Sequence, residues 1–239
     1  MGIVVVTGTG TEIGKTVVTA GLAALARRQG RSVAVLKPAQ TGLVPGEPGD
    51  AQEAARLAGD VAAVELGRFP EPLAPATAAR RAGAAPVRPE HAAAVAAELA
   101  QRYDLVLVEG AGGLLVRFDD DGGTLADVAR LLGAPVLIVA PAGLGTLNAT
   151  ALTAEALRAR RLEPLGVVIG SWPAEPDLAS RCNLADLPQA AGAPLLGAVP
   201  EGAGALPADE FRAQAAHWLA PPLGGTWAPP EAAAPGPVR

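Results

Sequence analysis

The sequence has few of the side chains from which nucleophilic and zinc sites are most often built. Its 239 residues include one cysteine and two histidines. One cysteine excludes an intrachain disulfide, and three Cys and His residues in total are too few to favour a zinc site. We therefore expect Cys182 to be an ordinary buried or half-buried thiol. No Ser-His or Cys-His arrangement suggests itself for nucleophilic catalysis either.

The chain also has neither an excess of positive charge nor a long apolar segment. Its net charge of -5 argues against nucleic acid as the main partner. Apolar runs such as GAPVLIVAPAGLG (133–145) are too short to cross a bilayer, and no cationic region precedes the first apolar run, as it would in a signal peptide. With half of its residues hydrophobic and 18% charged, the chain is expected to be globular, and the cytoplasm is its expected compartment.

Lysine is the most informative scarcity. Of the 19 basic residues, 17 are arginine and only Lys15 and Lys37 are lysine. Arginine serves a solvated surface as well as lysine does, but it cannot replace a compact ammonium in a tight loop or an amine whose pKa shifts. Lys15 lies in a glycine-rich loop and Lys37 ends an apolar strand, so both are candidates for chemistry.

Short apolar runs alternate with amphipathic segments, which predicts a doubly wound, mostly parallel α/β sheet in a single domain, residues 1–220. Strands are predicted at 2–7, 32–38, 103–110, 135–140, 164–170 and 194–200, and helices at 15–29, 50–58, 89–101, 124–132, 146–160 and 208–220. We expect Pro38 to end the second strand, 61–88 to be irregular, and a short helix at most between 170 and 194. The Pro/Gly/Ala-rich tail, 221–239, is expected to be disordered.

The first loop, TGTGTEIGKT (7–16), nearly matches two known patterns. As a dinucleotide-binding fingerprint its third glycine, Gly14, comes one residue late. As a standard P-loop, Gly14-Lys15-Thr16 fits, but Thr9 stands at the first glycine position. The next strand ends in Lys37, not in the acidic residue that would bind a ribose, so the phosphate-binding interpretation is favoured. Lys15 then reaches the phosphates, and Thr16 holds Mg²⁺. The predicted α/β sheet is therefore expected to be of the P-loop NTPase type.

Carboxylates for that metal are sought at nearby strand ends. Glu109 follows an apolar strand, at the edge where open α/β sheets bind ligands, and the glycines Gly110 and Gly112 allow backbone amides to approach phosphate. Asp50 begins a predicted helix, so it is either a further metal ligand or simply the residue that caps the helix.

Together these residues resemble the dethiobiotin synthase family. The P-loop, with five residues between Gly8 and Gly14, is similar to that of the family. The resemblance continues in the same order to about residue 205, through LKPAQTG (36–42), GDAQEAARLAG (49–59), LVEGAGGLLV (107–116) and LGTLNATALTAEAL (144–157).

The resemblance implies a ligase of biotin biosynthesis. The family closes the ureido ring of dethiobiotin from 7,8-diaminononanoate, CO₂ and a nucleoside triphosphate, with Mg²⁺. One amine adds to CO₂, the resulting carbamate attacks the γ-phosphoryl group, and the second amine attacks the carbamic-phosphoric anhydride and expels phosphate. The family also implies a homodimer with the substrate site at its interface.

Carried over by position, the resemblance gives Lys15 and Lys37 catalytic roles, and gives the metal to Thr16, Asp50 and Glu109. It implies that the nucleotide is bound by Glu12, Ile13, Gly14, Lys15, Thr16, Val17, Asp50, Glu109, Gly110, Ala111, Gly112, Gly170, Ser171, Pro200, Glu201 and Gly202. It implies that the substrate is bound by Thr41 and by the helix start Gly145, Thr146, Leu147 and Asn148.

The chain departs from the family after the strand at 164–170. Many members have an asparagine there that reads adenine, whereas this chain has Gly170-Ser171-Trp172. ATP and another triphosphate such as CTP are therefore both open, and Trp172 either stacks on a base or packs beside Pro173. The turn after Val199 lacks the family's usual apolar residues, although it still approaches base or ribose in this interpretation.

The main alternative is a regulatory or partitioning ATPase of the same fold. Such proteins usually carry a second lysine early in the P-loop, where this chain has Thr7, Gly8 and Thr9. An iron-sulfur reductase of this fold needs two cluster cysteines per chain, whereas the sequence has only Cys182. A corrinoid amidotransferase carries a further glutaminase domain with a cysteine nucleophile. A dinucleotide-binding dehydrogenase matches the spacing of the loop less well.

Overall fold

The computed structural model describes residues 2–230, in which seven parallel strands form one sheet in the order β3-β2-β4-β1-β5-β6-β7. The strands are Ile3–Gly8 (β1), Val33–Thr41 (β2), Ala62–Phe69 (β3), Leu105–Gly113 (β4), Val136–Ala140 (β5), Pro164–Trp172 (β6) and Leu195–Pro200 (β7). The α-helices are Lys15–Arg28 (α1), Asp50–Ala58 (α2), Pro75–Arg81 (α3), Pro89–Leu99 (α4), Leu125–Leu132 (α5), Thr146–Arg158 (α6), Leu178–Ala191 (α7) and Ala208–Gln214 (α8). The predicted doubly wound α/β fold is confirmed.

Both faces of the sheet are buried, as the continuous apolar runs of a parallel sheet require. Successive side chains of β1 point to opposite faces: Val4 and Val6 pack with α1, α2 and α8, whereas Val5 packs with the cluster that includes α3 to α7. Among the described residues, no helix has the length and apolar content needed to cross a membrane.

Strand register brings the ends of β1, β2 and β4 together. Val6 pairs with Glu109, and Leu36 pairs with Val108. Lys37 and Glu109 therefore lie at the same level of the sheet. They are next to the end of β1, where the P-loop begins.

Two predictions about the segment after Lys37 are wrong. Pro38 does not end β2, which continues to Thr41 by pairing with β3 alone, since its pairing with β4 ends at Leu36. A proline is tolerated there because a strand that is paired on one side needs fewer backbone donors. The segment expected to be irregular contains β3 and α3, and the edge position of β3 explains its weak apolar pattern.

The carboxyl-terminal part of the chain is more regular than predicted. The segment between β6 and β7 holds the 14-residue helix α7. Pro221–Leu223, expected to be disordered, form a 3₁₀ turn, and the Trp227 amide donates to the carbonyl of Leu219 at 3.0 Å. The part of the predicted tail at 231–239 lies outside the described residues.

Candidate active site

The phosphate-binding loop joins β1 to α1. Gly14 caps the helix with φ 89°, a left-handed conformation that glycine adopts without strain. The first amides of α1 have no acceptor within the helix and face the loop, which makes this end an anion-binding position. The Lys15 ammonium folds back and donates to the carbonyl of Gly10 at 2.7 Å.

The loop is pressed against the end of β6. A Cβ atom added at Gly170 would lie 2.0 Å from the carbonyl oxygen of Ile13, and one added at Gly14 would lie 2.1 Å from that of Gly170. The two backbones can approach this closely only because both positions are glycine. Because Gly170 has no Cβ atom, the end of β6 can lie directly against the P-loop.

Lys37 is at the centre of a buried charge cluster. Its Nζ atom donates to Asp50 Oδ2 at 2.5 Å, to Glu109 Oε1 at 2.9 Å and to the carbonyl of Gly110 at 2.9 Å. The side chains of Lys37 and Glu109 are only 3% and 1% exposed. All three ammonium hydrogens thus have acceptors, as a buried cation requires.

Thr16 connects this cluster to the P-loop. Its hydroxyl donates to Glu109 Oε1 at 2.9 Å. The second carboxylate oxygen of Glu109, Oε2, is buried and has no hydrogen-bond partner. Because an unpartnered buried carboxylate oxygen is costly, this atom marks the place where an additional cation or donor would be stabilised.

The two lysines have opposite pKa shifts. Burial, reinforced by the charge of Lys37, lowers the pKa of Lys15 to about 8. Burial alone would also lower the pKa of Lys37, but the carboxylates of Glu109 and Asp50 outweigh it and raise that pKa above its ordinary value. Lys37 is therefore charged at neutral pH, whereas Lys15 titrates at about pH 8.

A cavity of about 310 Å³ collects most of the predicted nucleotide and metal residues. Both lysines line it. The predicted site residues on its wall are Glu12, Ile13, Gly14, Lys15, Thr16, Lys37, Thr41, Asp50, Glu109, Ala111 and Gly112. Gly110 belongs to the same group through its carbonyl, which accepts from Lys37.

Other predicted nucleotide residues lie around a second cavity or beside the loop. Ser171 and Glu201 line a cavity of about 380 Å³ beyond the end of β6, next to the exposed turn of Pro200 and Gly202. Val17 does not line the first cavity; its Cγ2 atom lies 3.1 Å from the position of a Cβ added at Gly204.

The predicted substrate residues of α6 are separate from both cavities. Gly145 caps the helix with φ 93°, and Leu147 and Asn148 lie in its first turn. The hydroxyl of Thr146 is buried and has no hydrogen-bond partner. Leu144, just before the helix, is 94% exposed.

Sequence reasoning missed three residues that line the first cavity and misjudged one thiol. Gln40 is missed because Pro38 was expected to end the strand, and Thr11 and Leu43 carry no signal that separates them from ordinary loop residues.

Cys182 is exposed, so the expectation of a buried or half-buried thiol is wrong. It lies on α7, on the side of the helix that faces solvent.

Comparison with known proteins places the chain in a family. A family model described as an AAA domain matches residues 3–205. The chain is 69% identical to the ATP-dependent dethiobiotin synthetase of Streptomyces coelicolor over 95% of each chain, and 70% identical to that of Saccharopolyspora erythraea over 95% of this chain and 99% of the relative.

Solved structures support the fold. The cell division ATPase MinD of Pyrococcus furiosus has a TM-score of 0.57 at 21% identity, covering 90% of this chain and 97% of that one. A ParA family ATPase of Chlorobium tepidum has a TM-score of 0.56 at 13% identity, with 90% and 97% covered. At these identities the likeness is one of P-loop fold alone, whereas the curated relatives are similar over nearly their whole length. The chain therefore belongs to the family of ATP-dependent dethiobiotin synthetases.

Proposed function

We propose that this protein closes the ureido ring of dethiobiotin from 7,8-diaminononanoate, CO₂ and ATP, as an ATP-dependent C–N ligase of biotin biosynthesis. The observation that carries the proposal is that the only two lysines of the sequence line one cavity, one in the P-loop and one among carboxylates. The cytoplasm, which supplies ATP, is the compartment in which we expect the reaction.

The triphosphate binds along the P-loop. Glu12 to Val17 wrap it, and the free amides of α1 and the ammonium of Lys15 face its oxygens. To reach the phosphates, Lys15 exchanges its bond to the Gly10 carbonyl for charge-assisted bonds to phosphate oxygens.

The residues fit a divalent cation. Thr16 offers a hydroxyl, Asp50 a half-exposed carboxylate, and Glu109 a buried oxygen without a partner. The two carboxylates of Asp50 and Glu109 carry one more negative charge than the ammonium of Lys37 neutralises. Oxygen ligands of this kind suit Mg²⁺. When bound, Mg²⁺ supplies charge neutralisation at the phosphate oxygens.

Lys37 stabilises the carbamate formed when a substrate amine adds to CO₂. Its pKa is raised, so it stays charged, and its buried position aims that charge into the cavity. A carbamate oxygen then attacks the γ-phosphoryl group while Lys15 and Lys37 balance the negative charge on either side of the transferring group. The second amine attacks the activated carbonyl and phosphate leaves. Thr41, half-buried at the cavity wall, contacts the diamine or its carbamate.

We place the substrate carboxylate at the amino end of α6, in a homodimer. Gly145, Thr146, Leu147 and Asn148 form that end, where free amides attract an anion. It lies outside the cavity of Lys37, which is consistent with completion of the site by a second copy. Leu144 and Leu152, 94% and 58% exposed, offer apolar surface for such an interface.

The base of the nucleotide lies near the second cavity. Gly170 and Ser171 precede it on β6, and Pro200, Glu201 and Gly202 border it after β7. This chain has Gly170-Ser171-Trp172 where many family members have an asparagine that reads adenine, so CTP remains an alternative donor to ATP in this proposal.

A phosphate-release assay tests the proposed function. The protein is incubated with bicarbonate and ATP, with and without 7,8-diaminononanoate, and the same pair is repeated with CTP and GTP. Phosphate release that depends on the diamine and accompanies dethiobiotin formation supports the proposal. Release that ignores the diamine would instead favour an ATPase switch.

A further inference from the structure

We propose that Gln40 is a positioning residue that fixes Asp50, and through it the carboxylate offered to Lys37 and to the divalent cation. The inference rests on the proposed function, because it concerns the cation site of that reaction.

Gln40 is buried at the end of β2 and lines the cavity of the two lysines. Its Oε1 atom accepts a hydrogen bond from the backbone amide of Asp50 at 2.9 Å. Asp50 is the first residue of α2, so its amide has no acceptor within the helix. Gln40 supplies that acceptor from a strand of the central sheet.

A second contact ties the connection before α2 to the sheet, since Arg68 of β3 donates to the carbonyl of Glu47 at 2.7 Å, but it is Gln40 of β2 that contacts the amide of Asp50. The connection from β2 consists of residues 42–49, of which 44–48 are exposed, and Val44 is 52% exposed. The buried residues of α2, such as Ala51 and Leu57, fix the helix against its neighbours, whereas Gln40 contacts the backbone of Asp50 itself.

Both partners of the ion pair are thereby anchored to one strand. Lys37 belongs to β2, and Asp50 is tied to the same strand three residues further on, through Gln40. β2 pairs with β3 at both positions, Lys37 with Glu65 and Gln40 with Arg68, so the sheet holds the strand there. The 2.5 Å contact between Lys37 Nζ and Asp50 Oδ2 is the expected result of this arrangement.

A second glutamine provides a matched control. Gln52 accepts from the amide of Gly49 at 2.8 Å, one residue before Asp50 at the same helix end. It is exposed and does not line the cavity. Gln40→Met and Gln52→Met each remove one amide acceptor from α2 with little change of length, but only the first loses the link to β2.

The test measures Mn²⁺ binding by electron paramagnetic resonance in the presence of a non-hydrolysable ATP analogue. We expect Gln40→Met to weaken Mn²⁺ binding by roughly 10-fold to 100-fold, the usual range for residues that orient a ligand, and Gln52→Met to stay within about 2-fold of wild type. Gln40→Glu keeps the acceptor and should bind Mn²⁺ at least as well as wild type. Binding of the analogue in EDTA should be the same in wild type, Gln40→Met and Gln52→Met, whereas Gln40→Glu adds a carboxylate to the wall of the triphosphate cavity and should weaken it.

Equal losses in the two Met variants would overturn the proposal, as would a Gln40→Glu variant as weak as Gln40→Met. A loss of analogue binding in EDTA that matches the loss of Mn²⁺ would also overturn it, since a general distortion of the loop would then be the cause. Diamine-dependent phosphate release by the wild type is a separate readout, so failure of the proposed function is distinguishable from failure of this inference.

Discussion

At the scale of single residues, the two lysines differ in what surrounds them. Lys37 is held by two carboxylates and a carbonyl, whereas Lys15 contacts only the carbonyl of Gly10 among the described hydrogen bonds. The scarcity of lysine in an arginine-rich sequence was sufficient to predict that both matter. It could not predict that one would be a fixed cation and the other close to its titration point, because that depends on which carboxylates lie within contact distance.

The lowered pKa of Lys15 predicts a pH dependence of nucleotide binding. The pKa of about 8 belongs to the free protein, and bound phosphates raise it, because an anion favours the charged ammonium. Above about pH 8, binding must therefore take up a proton, and without divalent cations the Kd for ATP should rise by up to about tenfold per pH unit. Below about pH 7, Lys15 is already charged in the free protein and contributes no pH dependence.

Calorimetric titrations of ATP into the protein in EDTA, across this pH range, check the prediction. Lys15→Met should bind more weakly at low pH and lose the rise of Kd above about pH 8. An unchanged pH profile in Lys15→Met would assign the titrating group elsewhere.

At the scale of secondary structure, the elements that carry the P-loop, Asp50 and Glu109 could be predicted from local pattern alone. α1 and α2 begin at the predicted residues, Lys15 and Asp50, because the glycine loop and the polar turn mark them clearly. The extension of β2 beyond Pro38 could not be predicted, since it depends on β3 pairing with that strand on one side. Gln40 was missed for this reason and not because of its own chemistry.

The contact between β6 and the P-loop predicts a sharp difference between two glycines. A Cβ at Gly170 would meet the Ile13 carbonyl at 2.0 Å, whereas a Cβ at Gly143, beyond β5, has nothing within 4 Å. Gly170→Ala should lower the free energy of unfolding by about 1–3 kcal/mol and weaken nucleotide binding, because the loop must move. Gly143→Ala should leave both unchanged. Denaturant unfolding and ATP titration of the two variants check this, and equal behaviour would show that the loop tolerates displacement.

At the scale of the whole molecule, amino-acid composition predicted disorder in a segment whose described part is ordered, the carboxyl-terminal residues from 221 onward. Pro, Gly and Ala dominate residues 221–239, which is typical of a disordered segment, yet the described part of it packs on the body of the protein. One aromatic residue explains the difference. Trp227 packs against apolar residues on both faces of the sheet, and its neighbour Thr226 donates its amide to the carbonyl of Ala216 at 2.7 Å. The signal in the sequence was a large apolar side chain within a Pro/Gly/Ala-rich segment, which the overall composition obscured.

Trp227 should therefore contribute to global stability. Trp227→Ala should lower the free energy of unfolding by about 1–3 kcal/mol, the range expected for removing a half-buried aromatic side chain. Pro229→Ala, at an exposed position two residues on, is the control and should have little effect. Urea unfolding followed by circular dichroism gives both values, and a neutral Trp227→Ala would mean that the segment only rests on the surface.

We propose that Lys37 acts on the reacting groups and that the P-loop binds the nucleotide independently of it. The most direct measurement compares Lys37→Gln with wild type in two assays: equilibrium binding of ATP, and formation of dethiobiotin from 7,8-diaminononanoate, bicarbonate and ATP. We predict a folded variant that binds ATP within a few-fold of wild type and forms dethiobiotin at least about 10²-fold more slowly. Near-normal dethiobiotin formation by Lys37→Gln would contradict this role of Lys37.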